Sequence, residues 1–264
     1  MNIPMLFWAE VRREFILVFR YPFELVSRLI WNLGFALMIF FGFQTVGAGL
    51  PGFDEGQMGR LLGLLITYIA INGISNATEL IAEETQTGTL EQAALSPPPL
   101  VLILFLRDLA SFVEMVVRFV LVMAIAMLLT GVRYHLNIPA FTLLLLLMYL
   151  GTEGIGMMLG GAALLYKRVA TLSQFAVMLV FGLAVLPLES LPRWMNLFVD
   201  NFPFTKALLL IRQSAIADVP LSTLVANGSI AGLAANTAIF LGLGVLTFVW
   251  AERKARDWGT LNQY

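Results

Sequence analysis

Six long apolar runs constrain this chain more than any other feature. They fall at roughly 25–46, 60–81, 103–130, 137–165, 169–188 and 224–251. Crossing the ~30 Å hydrocarbon core of a bilayer takes about 20 apolar helical residues, and each run is near or above that length. Composition removes the soluble alternative. Of 264 residues, 59% are hydrophobic and 12% charged, where soluble domains carry about 45–50% and about 25%. The mean hydropathy is +0.85. A water-soluble core could not bury this excess and still leave a polar surface. The expected fold is therefore all-α, a polytopic membrane protein with six transmembrane helices in a single transmembrane domain over residues 1–264.

Several function classes drop out at once. A net charge of −1 provides no basic patch to neutralise phosphates, so no nucleic-acid partner is expected. The chain has no cysteine and one histidine, which leaves no disulfide, no thiolate ligand and no histidine-rich metal site. No catalytic residues are expected either. ATP hydrolysis by a P-loop needs G-x-x-x-x-G-K-[ST], and Lys167, Lys206 and Lys254 follow Tyr166, Thr205 and Arg253. No such loop can be drawn, so transport energy must come from a partner or an ion gradient.

The N-terminal stretch, residues 1–22, is interrupted by charges and has no small-residue cleavage site, which argues against a signal peptide. Leu6, Phe7, Val11, Phe15, Val18 and Phe19 recur at helical spacing, and Glu10, Arg12, Arg13 and Glu14 group away from them. This predicts an amphipathic helix lying in the membrane interface, with Pro22 at its junction with the first span. With six spans both termini share a side. Basic residues set that side, because positive charge is retained in the cytoplasm. Termini inside places Arg12, Arg13, Arg20, Arg107, Lys167, Arg168, Arg253, Lys254 and Arg256 in the cytoplasm. Arg60, Arg133, Arg193, Lys206 and Arg212 then lie outside. The expected location is a cell membrane, multi-pass, with both termini cytoplasmic.

One inner segment breaks the basic pattern. EETQTGTLEQAALSPPPL, residues 83–100, carries three glutamates and no Lys or Arg. Thr89 followed by Gln92 is a capping-box spacing, in which each side chain satisfies a free backbone N–H of the first turn. Gly88 permits a sharp turn before it, and Pro97, Pro98 and Pro99 stop the helix. So short a helix is marginal alone in water and needs a docking surface, either a soluble protein or the membrane domain itself.

Between the last two runs lie pieces too short to cross a bilayer. Leu191, Trp194, Leu197 and Phe198 give an amphipathic turn or two, Asn201 to Pro203 break it, and Phe204 to Ala217 predict a second helix. Residues 188–220 then fit a re-entrant hairpin dipping into the outer leaflet, with Trp194 at the interface. Trp194, Phe202 and Phe204 are candidates for an exit gate; the alternative is a plain aromatic anchor. Within the spans, Glu153 stands among glycines in the fourth. A mid-membrane carboxylate is costly, so it must be neutralised, paired or facing water. It reads either as a polar point on a substrate path or as a structural group paired with Arg118. Glu114 and Arg118 stand in the favourable i,i+4 order and can satisfy each other. Gly156-x-x-x-Gly160 permits close helix approach. Phe35, Phe40, Phe41 and Phe43 read as lipid-facing or packed.

The order of spans, with EETQTGTLEQAALSPPPL between the second and third, resembles the permease subunits of type-2 ATP-binding-cassette (ABC) exporters. PLESLPRWMNLFVDNFPFTKALLLIRQSA, residues 187–215, is similar to that family's stretch between spans five and six. LLYKRVATLSQ, residues 164–174, resembles its basic inner turn before span five. The resemblance implies two permease chains, here a homodimer, above two copies of a separate ATPase subunit that binds ATP and Mg. The segment after span two would be the coupling helix that docks on the ATPase. Carried onto this chain, Gly88, Thr89, Leu90, Glu91, Gln92, Ser96 and Pro97 make that contact, and Glu83 and Glu84 flank it at the membrane surface. No cofactor is expected in the chain itself, and its cell membrane would be bacterial or archaeal. The cargo would be an amphipathic drug-like or lipid-like molecule or a lipid-linked glycan. The alternative class is a secondary transporter or a non-transporting membrane scaffold, for which inverted repeats would be the sign.

Overall fold

The computed structural model describes residues 3–47, 53–87, 99–131, 134, 137–166, 169–185, 192, 195 and 199–258. All regular structure among them is helical. Helix α1 (Ile3–Arg20) is separated by Tyr21 alone from Pro22, which opens α2 (Pro22–Gly47). Proline suits a first helical position because the N–H it lacks would be unsatisfied there anyway. Then come α3 (Phe53–Thr87), α4 (Leu100–Thr130), α5 (Ile138–Leu165) and α6 (Ala170–Val185). The chain closes with α7 (Pro203–Ala215), α8 (Leu221–Ala226) and α9 (Ser229–Trp258).

Five of these helices are long and apolar enough to cross a membrane: α2, α3, α4, α5 and α9. The fifth of the six predicted spans corresponds to α6, which has 16 residues among the described ones and falls short of that length. The second and sixth predicted spans differ at both ends from their helices, α3 starting at Phe53 rather than 60 and α9 running to Trp258 rather than 251. The second span was expected over 60–81, but α3 runs to Thr87. Apolar content marks where lipid ends, whereas helix propagation continues through good helix formers such as Glu79, Glu83 and Glu84. The sixth span was expected from 224. A turn at Asn227 and Gly228 separates α8 from α9 instead, and Gly228 takes the left-handed conformation, φ 71°, that glycine adopts without steric cost.

The core is organised around α5, which packs against α9 on one side and α3 on the other. Small residues set those crossings. A Cβ on Gly154 would run into the Phe240 carbonyl of α9, and one on Gly244 into the Gly154 carbonyl of α5. On the α3 side a Cβ on Gly156 would meet the Gly73 and Ile74 carbonyls, and one on Gly160 would lie 3.2 Å from Ala77 Cβ. The predicted Gly156-x-x-x-Gly160 contact therefore exists, and α3 is its partner. Lipid tails are as apolar as leucine, so such helices associate through close van der Waals packing and short polar contacts. Thr237 Oγ1 donates to the Leu147 carbonyl at 2.9 Å across the α5–α9 seam.

Helix α1 packs mainly on α4. Its orientation refines the amphipathic reading. Met5, Trp8, Ile16 and Phe19 are exposed, whereas Glu10 reaches inward to Arg107 of α4 at 3.6 Å. Burial pushes the Glu14 carboxyl above the usual carboxylate range, although Arg13 beside it acts in the opposite direction. Val11 is the buried residue of α1, and Arg12, Arg13 and Arg20 share its exposed surface with those apolar side chains. Of the phenylalanines of α2, Phe40 is buried, while Phe35 and Phe41 are exposed.

Candidate functional site

The segment expected to carry coupling contacts, Gly88, Thr89, Leu90, Glu91, Gln92, Ser96 and Pro97, lies outside the described residues. Its two legs are described. Glu84 ends the described side chains of the incoming leg in α3, and Arg107 stands on the first turns of the outgoing leg, α4. Arg107 Nη1 donates to Glu84 Oε1 at 2.5 Å, and Nε lies 3.6 Å from Glu10 Oε1 of α1. Side-chain exposures of 19%, 15% and 23% for Arg107, Glu84 and Glu10 make this a half-buried tie rather than a surface pair. One guanidinium thus holds three helices together at the base of the segment. Sequence reasoning named Glu83 and Glu84 but missed Arg107 and Glu10. An arginine placed soon after an acid-rich turn was the available signal.

Further into the bundle, Glu153 of α5 is fully buried. The proposed structural pairing with Arg118 is not formed. Arg118 is engaged by Glu114 at 2.6 Å, as their i,i+4 spacing predicted, and its guanidinium lies 5.5 Å from the Tyr68 ring centroid. Glu153 faces Asp108 of α4 instead. The helical rise explains the difference, because Arg118 stands ten residues beyond Asp108, about 15 Å along α4. Asn76 Nδ2 donates to Asp108 Oδ1 at 2.5 Å, and Tyr149 Oη donates to the Asp108 carbonyl at 3.0 Å. Neither carboxylate oxygen of Glu153 has a hydrogen-bond partner among the described residues. Asp108, Asn76 and Tyr149 were not singled out from sequence, since they come from three helices far apart in the chain.

At the opposite end, α7 forms where the second hairpin helix was expected, starting at Pro203 after the Asn201–Pro203 break. Pro203 packs on Gly151, midway along α5, where an added Cβ would meet its ring at 2.6 Å. The break is held by Asn236 of α9, whose Nδ2 donates to the Asn201 carbonyl at 2.6 Å. Thr205 Oγ1 also donates to the Val199 and Phe202 carbonyls. Phe202 and Phe204 are buried, and Phe202 meets Phe240 of α9 edge to face at 6.5 Å between centroids. Trp194 lies outside the described residues. Arg212, in the last turn of α7, donates to the Gly59 carbonyl of α3 at 3.1 Å and to the Ala184 carbonyl of α6 at 3.3 Å.

The family profile of the ABC-2 type transporter matches residues 5–216, a stretch that runs from α1 through the end of α7. The chain belongs to this family. No curated protein sequence matches it. The resemblance carried by the three sequence segments is thereby shown across most of the chain. The ABC-2 assignment makes this a multi-pass membrane permease, a transport component that is not itself catalytic. The Glu10–Arg107–Glu84 tie and the α7 helix both lie inside the matched residues. The whole of α9, one side of the α5–α9 seam, lies beyond them.

Proposed function

We propose that this chain is the permease subunit of an ATP-driven exporter, with six spans and both termini in the cytoplasm of a bacterial or archaeal cell. Two copies stand above two copies of a separate ATPase subunit, which binds ATP and Mg. The cargo is an amphipathic drug-like or lipid-like molecule. The ABC-2 match over residues 5–216 carries this reading. α6 serves as the fifth span.

Residues 88–97 are the coupling element in this reading, with Glu83 and Glu84 at its base. A rigid support passes on a rigid-body movement, whereas a loose one absorbs it. The Arg107 tie supports such a role, because ATPase closure acting on the segment would move α1, α3 and α4 together. The hairpin of residues 188–220 dips into the outer leaflet. Its short α7, the seat of Pro203 at mid-α5 and the Arg212 bonds to two helix ends all support that geometry. Trp194, Phe202 and Phe204 belong to the gate it shapes, with the two phenylalanine rings as its anchors. Glu153, enclosed within its own chain, is a structural neighbour of Asp108 rather than a wall of the path.

Gly88→Pro and Glu91→Arg test the coupling assignment. Each is expected to reduce co-purification of the ATPase or ATP-driven transport by at least about tenfold while membrane insertion is unchanged. Wild-type assembly and transport in both variants would remove the coupling role from this segment.

A further inference from the structure

Two adjoining chambers separate the α1–α2 wall from α3 and α4, and neither belongs to the coupling element or the hairpin. The first has a volume of about 410 Å³, and its charged lining is Glu14, Glu24, Glu79, Glu83 and Glu114 with Arg13, Arg28 and Arg118. The second, about 230 Å³, is lined by aromatic and aliphatic groups, among them Trp31, Phe35, Phe119 and Phe181. Arg118 lines both and marks where they join.

The charges in the first chamber do not cancel. Each arginine already has an acid: Arg28 pairs with Glu24, Arg118 with Glu114, and Arg13 with Glu10. Glu14 and Glu79 line the same space and form no salt bridge among the described residues. An anion entering here meets carboxylates and arginines that are already engaged. A cation meets two available carboxylates. The second chamber has the opposite chemistry, with aromatic faces suited to a hydrocarbon chain. Glu79 and Tyr68, both on α3, lie eleven residues apart, about 16 Å along the axis, which a dodecyl chain can span.

We propose that the two chambers form one lateral binding site for an amphipathic organic cation, with the ammonium head between Glu14 and Glu79 and the tail past Arg118 among Trp31, Phe35 and Phe181. The proposal deepens the exporter reading by naming a cargo class, and it rests on that reading for the direction of movement. The first chamber is walled by α1 and α2 residues, among them Leu17, Val18 and Leu25, and Met5, Trp8 and Ile16 are exposed on α1, so a cation partitioned into the membrane interface would reach it from that side.

The test uses the full-length chain in lipid nanodiscs, labelled with dodecyltrimethylammonium carrying a photoreactive group at the tail end. Peptides containing Tyr68, Phe119 and Phe181 should be labelled. Excess dodecyltrimethylammonium should lower that labelling at least about fivefold, and excess dodecyl sulfate should leave it unchanged. Glu14→Gln combined with Glu79→Gln, which keeps shape and removes charge, should lower labelling about tenfold, as expected for loss of two partly solvated charge contacts. Helical circular dichroism and gel-filtration position should be those of the wild type. Equal competition by the sulfate, or full labelling of the double variant, would overturn the site. So would absent labelling accompanied by crosslinks that place a second copy of the chain in the chambers. Cation-selective labelling without ATP-driven movement in the assembled complex would keep the site and retire the exporter reading. Transport with unlabelled chambers would do the reverse.

Discussion

The α5–α9 seam and the α1–α2 wall are both made of apolar helices, yet they pack by opposite rules. In the most apolar window of α5, 56% of residues are buried within the chain, against 12% for α2. Backbone meets backbone at the seam, because Gly154 and Gly244 leave no side chain between the helices. Across the wall, Ala36 and Phe40 are the buried hydrophobic residues of α2 among the described side chains, and chambers fill the gap. Apolar composition therefore selects lipid as the solvent for both regions without saying which one is rigid. Placement of small residues decides that. The seam is closely packed backbone to backbone, and the wall stands off the bundle across the chambers.

The comparison breaks most sharply at the glycines. Gly154→Leu or Gly244→Leu would drive a side chain into a backbone carbonyl, which no rotamer can avoid. The expected cost is about 3 kcal/mol or more, at or beyond the upper end for core overpacking, read as loss of monodisperse protein after extraction. Gly34→Leu in α2, where nothing lies within 4 Å of an added Cβ, should leave yield and thermal stability at wild-type levels. Equal sensitivity at both places would erase the distinction between seam and wall.

A middle-sized effect is expected where the wall is tied to the rest. Arg107→Ala removes the cation shared by the half-buried Glu84 and Glu10, of which Glu10 keeps Arg13, at an expected cost of about 1–3 kcal/mol. Because the tie sits at the base of residues 88–98, ATP-driven transport should fall further than thermal stability does. Arg107→Lys should restore stability in part, since one ammonium cannot match the guanidinium's fork. The smallest effect belongs to the wall itself. Arg28 and Glu24 form an exposed i,i+4 pair, so Arg28→Ala should change thermal stability by no more than about 0.5 kcal/mol.

Sequence and structure agree where the causes are local. The break at Asn201–Pro203, the helix after it, the Pro22 junction and the Glu114–Arg118 pair each depend on residues within a turn or two of one another. Helical spacing and proline's missing N–H suffice to place them. The candidate site was legible in a different way. The acid-rich segment and the 187–215 stretch pointed to the family, but the Arg107 tie that supports one and the Asn236 and Arg212 bonds that fix the other were not visible.

By itself, then, the sequence determined the solvent, the helices and most of their ends, because hydropathy and capping act over a dozen residues. Only the tertiary structure decided which faces meet. It turned the acids of α1 inward to Arg107, set Glu153 against Asp108 rather than Arg118, and matched Gly154 with Gly244. Each of those contacts joins residues at least 45 positions apart. Their pairing depends on how whole helices rotate and slide against one another, which no local pattern encodes.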